Sequence, residues 1–152
     1  MQNNLSKVAI FGHQRKGLDN ESYMRGGNYI GLGLLSGFSL YIDGGLPVIR
    51  PQNRRAAPHG ATVVVDIYEV SPAILARLDV SEGYCPYQDG LPTPACFADR
   101  QLLLVRGIDK AISGQLFNCY VYVYTVPVFA DAVRVVSGDL VDHLSHYRHQ
   151  GY

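Results

Sequence analysis

Two short stretches hold the side chains best suited to chemistry. Leu78-Asp79-Val80-Ser81-Glu82-Gly83 places a carboxylate directly ahead of a glycine. Val8-Ala9-Ile10 runs through Phe11, Gly12, His13, Gln14, Arg15 and Lys16 to Gly17, an apolar strand entering a glycine-bearing loop. A single glutamate can take a proton from one group and return it to another. A loop rich in backbone N–H groups can hold an anion or a developing negative charge. Gly12 lets a ligand approach the backbone closely, and it serves equally well as a turn glycine. The two stretches make an acid–base site only if the fold brings them together. Alone, a glutamate before a helix-ending glycine is more often a surface residue.

The other reactive residues form weaker patterns. Cys85, Cys96 and Cys119 are odd in number, irregularly spaced and without CxxC spacing. They read as reduced thiols rather than a disulfide framework or a zinc site. Cys85 lies near Glu82 but has no paired histidine in sequence, so it reads as a bystander and not a nucleophile. His143, His146 and His149 have near-helical spacing, with Asp139 and Asp142 as the nearest acidic partners, and point to no metal site. No phosphate-binding Gly-x-x-x-x-Gly-Lys-Ser/Thr loop or Gly-x-Ser-x-Gly elbow occurs, and Gly31-Leu32-Gly33 lacks a following helix signal. No cofactor and no metal is expected.

The chain has 152 residues, 47% hydrophobic and 17% charged, with 13 basic and 13 acidic side chains. This balance fits one globular domain, 1–152, with a real core. A formal net charge of zero argues against nucleic acid or a membrane surface as partner, and leaves homo-oligomer formation open. The polar N-terminus lacks signal-peptide order, and no apolar run approaches a membrane span. A cytoplasmic location is expected.

The elements that must position the two stretches read as follows. Residues 8–11 form a buried strand, and 18–24 a turn or short helix. Residues 29–35 and 37–42 are β-rich, with glycines marking bulges or bends where a sheet curls. Asp43-Gly44-Gly45 is a turn into a strand at 46–49. Residues 52–60 form an exposed loop, with Arg50, Arg54 and Arg55 as a solvated face. The strand at 62–70 puts Val63, Val65 and Ile67 on one face and Val64, Asp66 and Tyr68 on the other. Asp66 reads as a site-lining or a hydrogen-bonded structural carboxylate. Ser71 at the N-cap and Pro72 at N1 start a helix that Gly83 stops. Residues 84–94 form a proline-rich loop. Strands follow at 100–106 and 116–126, the second putting Tyr120, Tyr122 and Tyr124 on one face as core, barrel lining or recognition surface. Residues 129–136 and 139–148 read as helices.

This ordered set resembles the gamma-glutamylcyclotransferase-like family. Phe11-Gly12-His13-Gln14-Arg15-Lys16-Gly17 is similar to the family's Tyr-Gly-Thr-Leu-Arg-x-Gly loop, with Phe11 for tyrosine and His13-Gln14 for Thr-Leu. Gly37-Phe38-Ser39-Leu40-Tyr41 is similar to its Gly-x-x-Leu-Tyr pattern, and the strand at 63–70 to its Val-x-Gly-Glu-Leu-Tyr-x-Val, with Val65 for glycine. Leu78-Asp79-Val80-Ser81-Glu82-Gly83 matches Leu-Asp-x-x-Glu-Gly, and the strand from Cys119 to Tyr122 its late Ala-x-x-Tyr. The resemblance implies an α+β fold, a small mixed β-barrel with short flanking helices. It implies a metal-independent cyclotransferase that releases 5-oxoproline and a free amine from a small-molecule gamma-glutamyl substrate. Glu82 would be the general acid/base, and Phe11, Gly12, His13, Gln14, Arg15 and Tyr122 would bind substrate. The altered loop motivates a second reading, a non-catalytic small-ligand-binding module on the same fold.

Overall fold

Side-chain alternation in one long strand decides what the molecule encloses. In β5 (Thr62–Val70) the chain presents Val63, Val65 and Ile67 to one cluster, all fully buried, and Tyr68 and Val70 to another. A strand apolar on both faces sits in the middle of a structure, covered on each side. The computed structural model describes residues 4–52, 60–85 and 97–149. There β5 pairs antiparallel with β1 (Ser6–Ile10) on one side and β2 (Asn28–Ser36) on the other. β2 reaches β6 (Ala98–Gly107), β6 pairs antiparallel with β7 (Leu116–Tyr124), and β7 returns to β1 in parallel at Val8↔Tyr120. The ring β1-β5-β2-β6-β7 is thereby a closed mixed barrel.

Closure at β2 needs a residue without a Cβ. A Cβ at Gly33 would lie 2.6 Å from Val105 Cγ1 and 2.8 Å from Ile67 Cδ1. The missing side chain lets β2 bend inward, the use expected of glycine at a barrel corner. A second sheet, β4 (Leu46–Pro51), β3 (Phe38–Asp43) and β8 (Val133–Val135), packs beside the barrel, with Leu40, Ile49 and Val135 in the shared core. Two helices flank the strands, α1 (Pro72–Glu82) and α2 (Leu140–His149). Residues Glu21–Met24 form a single 3₁₀ turn.

Three expectations change. The span 129–136 is no helix: β8 occupies its end, and Leu40↔Val135 and Ile42↔Val133 pair it with β3. Val133 and Val135 are β-branched and meet a free sheet edge, so pairing outweighs the helical spacing of the apolar residues. Cys85 is disulfide-bonded, not a reduced thiol. Local spacing carries no signal for it, because a disulfide needs only proximity in space. Cys119 is free and buried, and burial pushes its thiol up to about 11. Arg50 is less than fully solvated, since its Nη1 donates to the Val126 carbonyl. Cys96, Arg54, Arg55 and most of the 84–94 loop lie outside the described residues.

The loop after β1 is locked from behind by ions. Arg15, only 3% exposed, donates from Nη1 to Asp139 Oδ1 at 2.6 Å, and its Nε lies 3.5 Å from Asp66 Oδ2. Asp66 also accepts from the Lys16 backbone N–H at 2.7 Å. Burial pushes the Asp66 carboxyl up, opposed by the Lys16 N–H and the Arg15 guanidinium. Asp139 meanwhile caps α2 by accepting from the Val141 and Asp142 N–H groups. One guanidinium thus joins the first loop, β5 and the start of α2. Arg15→Met is expected to lower unfolding free energy by about 3 kcal/mol or more in urea, because it strands the Asp66 carboxylate without its counter-ion. Arg15→Met/Asp66→Leu should recover much of that loss.

Candidate active site

Glu82 owes its place to the way α1 ends. Ser71 Oγ accepts from the Ile74 N–H at 3.3 Å and Pro72 occupies the first turn, so the helix starts where the sequence indicates. Ile74 and Leu78 bury its inner stripe. At the other end Gly83 takes φ 72°, and the Tyr84 N–H closes on the Asp79 carbonyl at 2.9 Å. Such a left-handed cap satisfies the last carbonyls and turns the chain sharply. A Cβ at Gly83 would also meet the Phe97 ring at 2.5 Å. The Gly83 carbonyl accepts from the Phe97 and Ala98 N–H groups at 3.1 and 3.3 Å, stitching the helix end to the start of β6. Glu82 is therefore the last residue of a helix pinned against the barrel mouth.

Its carboxyl faces a cavity of about 150 Å³. The loop after β1 forms one wall through Phe11, Gly12, His13 and Gln14. The hairpin of the second sheet contributes Leu46, Pro47 and Val48, and the barrel end contributes Phe97, Ala98, Tyr122 and Tyr124. Asn20 and Ser81 add polar groups. Gln14, 7% exposed, donates from Nε2 to Glu82 Oε1 at 2.5 Å. Burial pushes the Glu82 carboxyl up, and the Gln14 hydrogen bond offsets only part of the rise. Among the described residues no cation pairs with Glu82. A half-buried carboxyl with a neutral partner keeps its proton to higher pH than an ordinary glutamate and can still release it.

The loop supplies the opposite polarity. Arg15 N–H donates to the Gly12 carbonyl at 3.1 Å, which folds the loop back on itself. Among the described residues no backbone acceptor engages the N–H groups of Gly12, His13 and Gln14. These donors lie in a cavity wall and can receive an anionic oxygen.

Most of the residues singled out in sequence meet here. Phe11, Gly12, His13, Gln14, Glu82 and Tyr122 line one cavity. Arg15 does not: its side chain points behind the loop to Asp66 and Asp139, and its N–H is already engaged. Asp66 follows it, as a hydrogen-bonded structural carboxylate away from the cavity. A charged pair that also holds the loop's shape is more stable buried than facing a small cavity, so the arginine turns inward.

The Asp79 side chain does more than sit in the last turn of α1. Tyr122 donates its hydroxyl to Asp79 Oδ1 at 2.6 Å, and Arg100 Nη1 donates to Asp79 Oδ2 at 2.7 Å. The Arg100 guanidinium sits 4.8 Å from the Tyr84 ring centroid and 4.7 Å from that of Tyr120. Burial, then the hydrogen bond to Asp79, pushes the Tyr122 phenol up, so it stays protonated. Its proton is committed to Asp79, and toward the cavity the oxygen is left to accept. The three-residue spacing from Asp79 to Glu82 was the available signal, since it puts both on neighbouring faces of one turn. Phe97 and Tyr124 gave no such signal. They meet only through the β6–β7 register, Ala98↔Tyr124, with ring centroids 6.2 Å apart.

At one end of the closed mixed barrel, the Glu82 carboxyl and the loop at Gly12 to Gln14 line the same cavity. The family model described as gamma-glutamyl cyclotransferase, AIG2-like, matches residues 8–142, and the chain belongs to that family. No curated protein matches the sequence significantly. Among solved structures, the uncharacterized protein PH0828 from Pyrococcus horikoshii is similar at 18% identity and TM-score 0.64, covering 97% of this chain and 99% of its own. An AIG2-like protein from Mus musculus is similar at 22% identity and TM-score 0.61, over 82% and 86% of the two chains. The protein ytfP from Escherichia coli is similar at 23% identity and TM-score 0.58, over 90% and 97%. At these identities the likeness shows the fold.

The raised Glu82 carboxyl has a consequence for stability. A folded-state value above that of the unfolded chain favours folding fully below the unfolded value, and that contribution is lost as pH rises through the folded value. Glu82→Gln removes the cost of burying the charge. The variant is expected to be more stable than the parent in urea at pH about 8, with the difference shrinking as pH falls toward the ordinary glutamate value of 4.5. A gap that widens on acidification would contradict the desolvated placement. Gly83→Ala should cost about 1–3 kcal/mol, from the left-handed φ and the Phe97 contact together.

Proposed function

We propose that this chain is a gamma-glutamyl cyclotransferase, acting on a gamma-glutamyl amide of a small amine with Glu82 as its single acid and base. The observation that carries the reading is the Glu82 carboxyl: desolvated, hydrogen-bonded by neutral Gln14, and facing the same cavity as the loop donors at Gly12 to Gln14. Membership of the family supports the reaction class.

The chemistry follows from proton accounting. The substrate's α-ammonium gives a proton to the Glu82 carboxylate, and the freed amine attacks its own γ-carbonyl carbon. The new C–N bond closes a five-membered ring, and the carbonyl electrons move to oxygen. Backbone N–H groups at Gly12, His13 and Gln14 stabilise that oxyanion, the kind of fixed donor that gains most in a water-poor cavity. As the tetrahedral intermediate collapses, Glu82 returns its proton to the leaving nitrogen and the bond to that nitrogen breaks; the regenerated carboxylate then takes the second proton from the ring nitrogen and passes it to the departing amine, which leaves as its ammonium. The products are 5-oxoproline and a free amine, with no water consumed. Holding amine and carbonyl in one chain makes the attack unimolecular, so the protein mainly orients and relays protons through one carboxyl. The Tyr122 oxygen, its proton committed to Asp79, accepts from the α-ammonium and orients it.

Glu82→Gln is expected to reduce 5-oxoproline release from a panel of gamma-glutamyl amides by at least about a thousandfold while leaving the fold intact. Turnover within tenfold of the parent would remove Glu82 from the mechanism. In the parent, kcat/KM should rise with pH as Glu82 ionises, its acid limb above the ordinary value of 4.5. Ligand-dependent stabilisation with no product from any amide would instead support the non-catalytic binding module.

A further inference from the structure

The cavity is chemically two-sided, and the side that the glutamyl group does not need describes the amine that leaves. Glu82, the loop N–H groups of Gly12 to Gln14 and the Tyr122 oxygen are used by the glutamyl moiety. What remains of the wall is Leu46, Pro47 and Val48 from the hairpin and Phe97, Ala98 and Tyr124 from the barrel end, with Asn20, Ser81 and the His13 side chain as its polar groups. Val48 is 4% exposed and the Phe97 and Tyr124 rings pack edge to face. Among the described lining residues there is no lysine or arginine, and Glu82 is the single carboxylate. Two nearby cations are engaged elsewhere: Arg15 with Asp66 and Asp139, Arg100 with Asp79.

We infer that the substrate class is a gamma-glutamyl amide of an uncharged, apolar amine, rather than one whose leaving group carries its own ammonium or carboxylate. The inference rests on the cyclotransferase reading of the same site. An apolar alkyl or aryl group displaces water from Leu46, Val48, Phe97 and Tyr124 and gains by burial. Among the described lining residues a second ammonium finds no free carboxylate, because Glu82 is committed to the reacting nitrogens. Among the described lining residues a carboxylate finds no lysine or arginine, and the loop donors are taken by the glutamyl end. Held against this wall, either charge would exchange water for Asn20, Ser81 and His13 rather than for an opposite charge, which is costly. Leu46 stands at the mouth, 45% exposed, where the outer end of the leaving group arrives. Leu46 and Val48 are the specificity-determining residues of this wall.

The test uses three gamma-glutamyl amides of matched length: pentyl, aminobutyl and carboxypropyl. Release of 5-oxoproline by the full chain gives kcat/KM, and calorimetry with Glu82→Gln gives affinity without turnover. The pentyl amide is expected to exceed both charged amides by about tenfold or more in each measurement. Leu46→Glu should narrow the pentyl-to-aminobutyl ratio severalfold, and Leu46→Lys the pentyl-to-carboxypropyl ratio. Both substitutions lie at a half-exposed position and leave the core untouched. Equal or reversed preference in the affinity series overturns the inference, whatever the turnover result. Preferential binding of the pentyl amide with no 5-oxoproline from any of the three supports the inference and removes the catalytic reading instead.

Discussion

Drawing one carboxyl partly out of water, with no cation beside it among the described residues, is the constraint on which the rest of this structure depends. A charged partner would hold Glu82 ionised and useless as an acid; open solvent would leave it at its ordinary strength. Gln14 avoids both, as a neutral donor buried at the bend of the first loop. For that contact to exist, two parts of the chain 68 residues apart must be held within hydrogen-bond reach. The αL turn at Gly83, pressed against Phe97, fixes one partner, and the Arg15 ion group behind the loop fixes the other.

The charged side chains around the cavity share a pattern. Arg15, Asp66 and Asp139 close on one another behind the first loop, and Arg100 and Asp79 close on one another beneath Tyr122. Each group builds the wall without facing the ligand, because a buried charge is stable only with its partner. The charge left to the interior is then that of Glu82 alone among the described lining residues. The cavity is thereby made of backbone donors, neutral hydrogen-bonding groups and apolar surface. Such a lining suits a reaction in which the substrate brings its own nucleophile and needs protons passed from one nitrogen to the other.

The barrel supplies the geometry for this arrangement. β1 leads into the loop, β5 holds the aspartate that anchors it, and α1 leaves β5 directly and returns Glu82 to the same end. The β6–β7 ladder adds Phe97 and Ala98 at its start and Tyr122 and Tyr124 at its finish. The hairpin of the second sheet covers the remaining side with Leu46, Pro47 and Val48. Membership of the gamma-glutamyl cyclotransferase, AIG2-like family fits an architecture in which one barrel end collects a carboxyl and backbone donors.

Local order in the chain was enough to name α1 and its two caps, the alternation of β5 and β7, and the two stretches that hold Glu82 and the first loop. These features depend on neighbours a few residues apart: a serine before a proline, a glycine after a helix, a period of two. Pairing across the fold had to decide the remainder. The span 129–136 became a strand because β3 offered it an edge, and Cys85 found a disulfide that spacing did not announce. Arg15 turned away from the cavity because Asp66 and Asp139, 51 and 124 residues along the chain, offered it a buried counter-charge. Phe97 and Tyr124 joined the wall through strand register alone. Glu82 was recognisable as a candidate from six residues, but its raised carboxyl depends on how far water is excluded and on what stands beside it. Both are properties of contacts between distant segments, and those exist only once the barrel has closed.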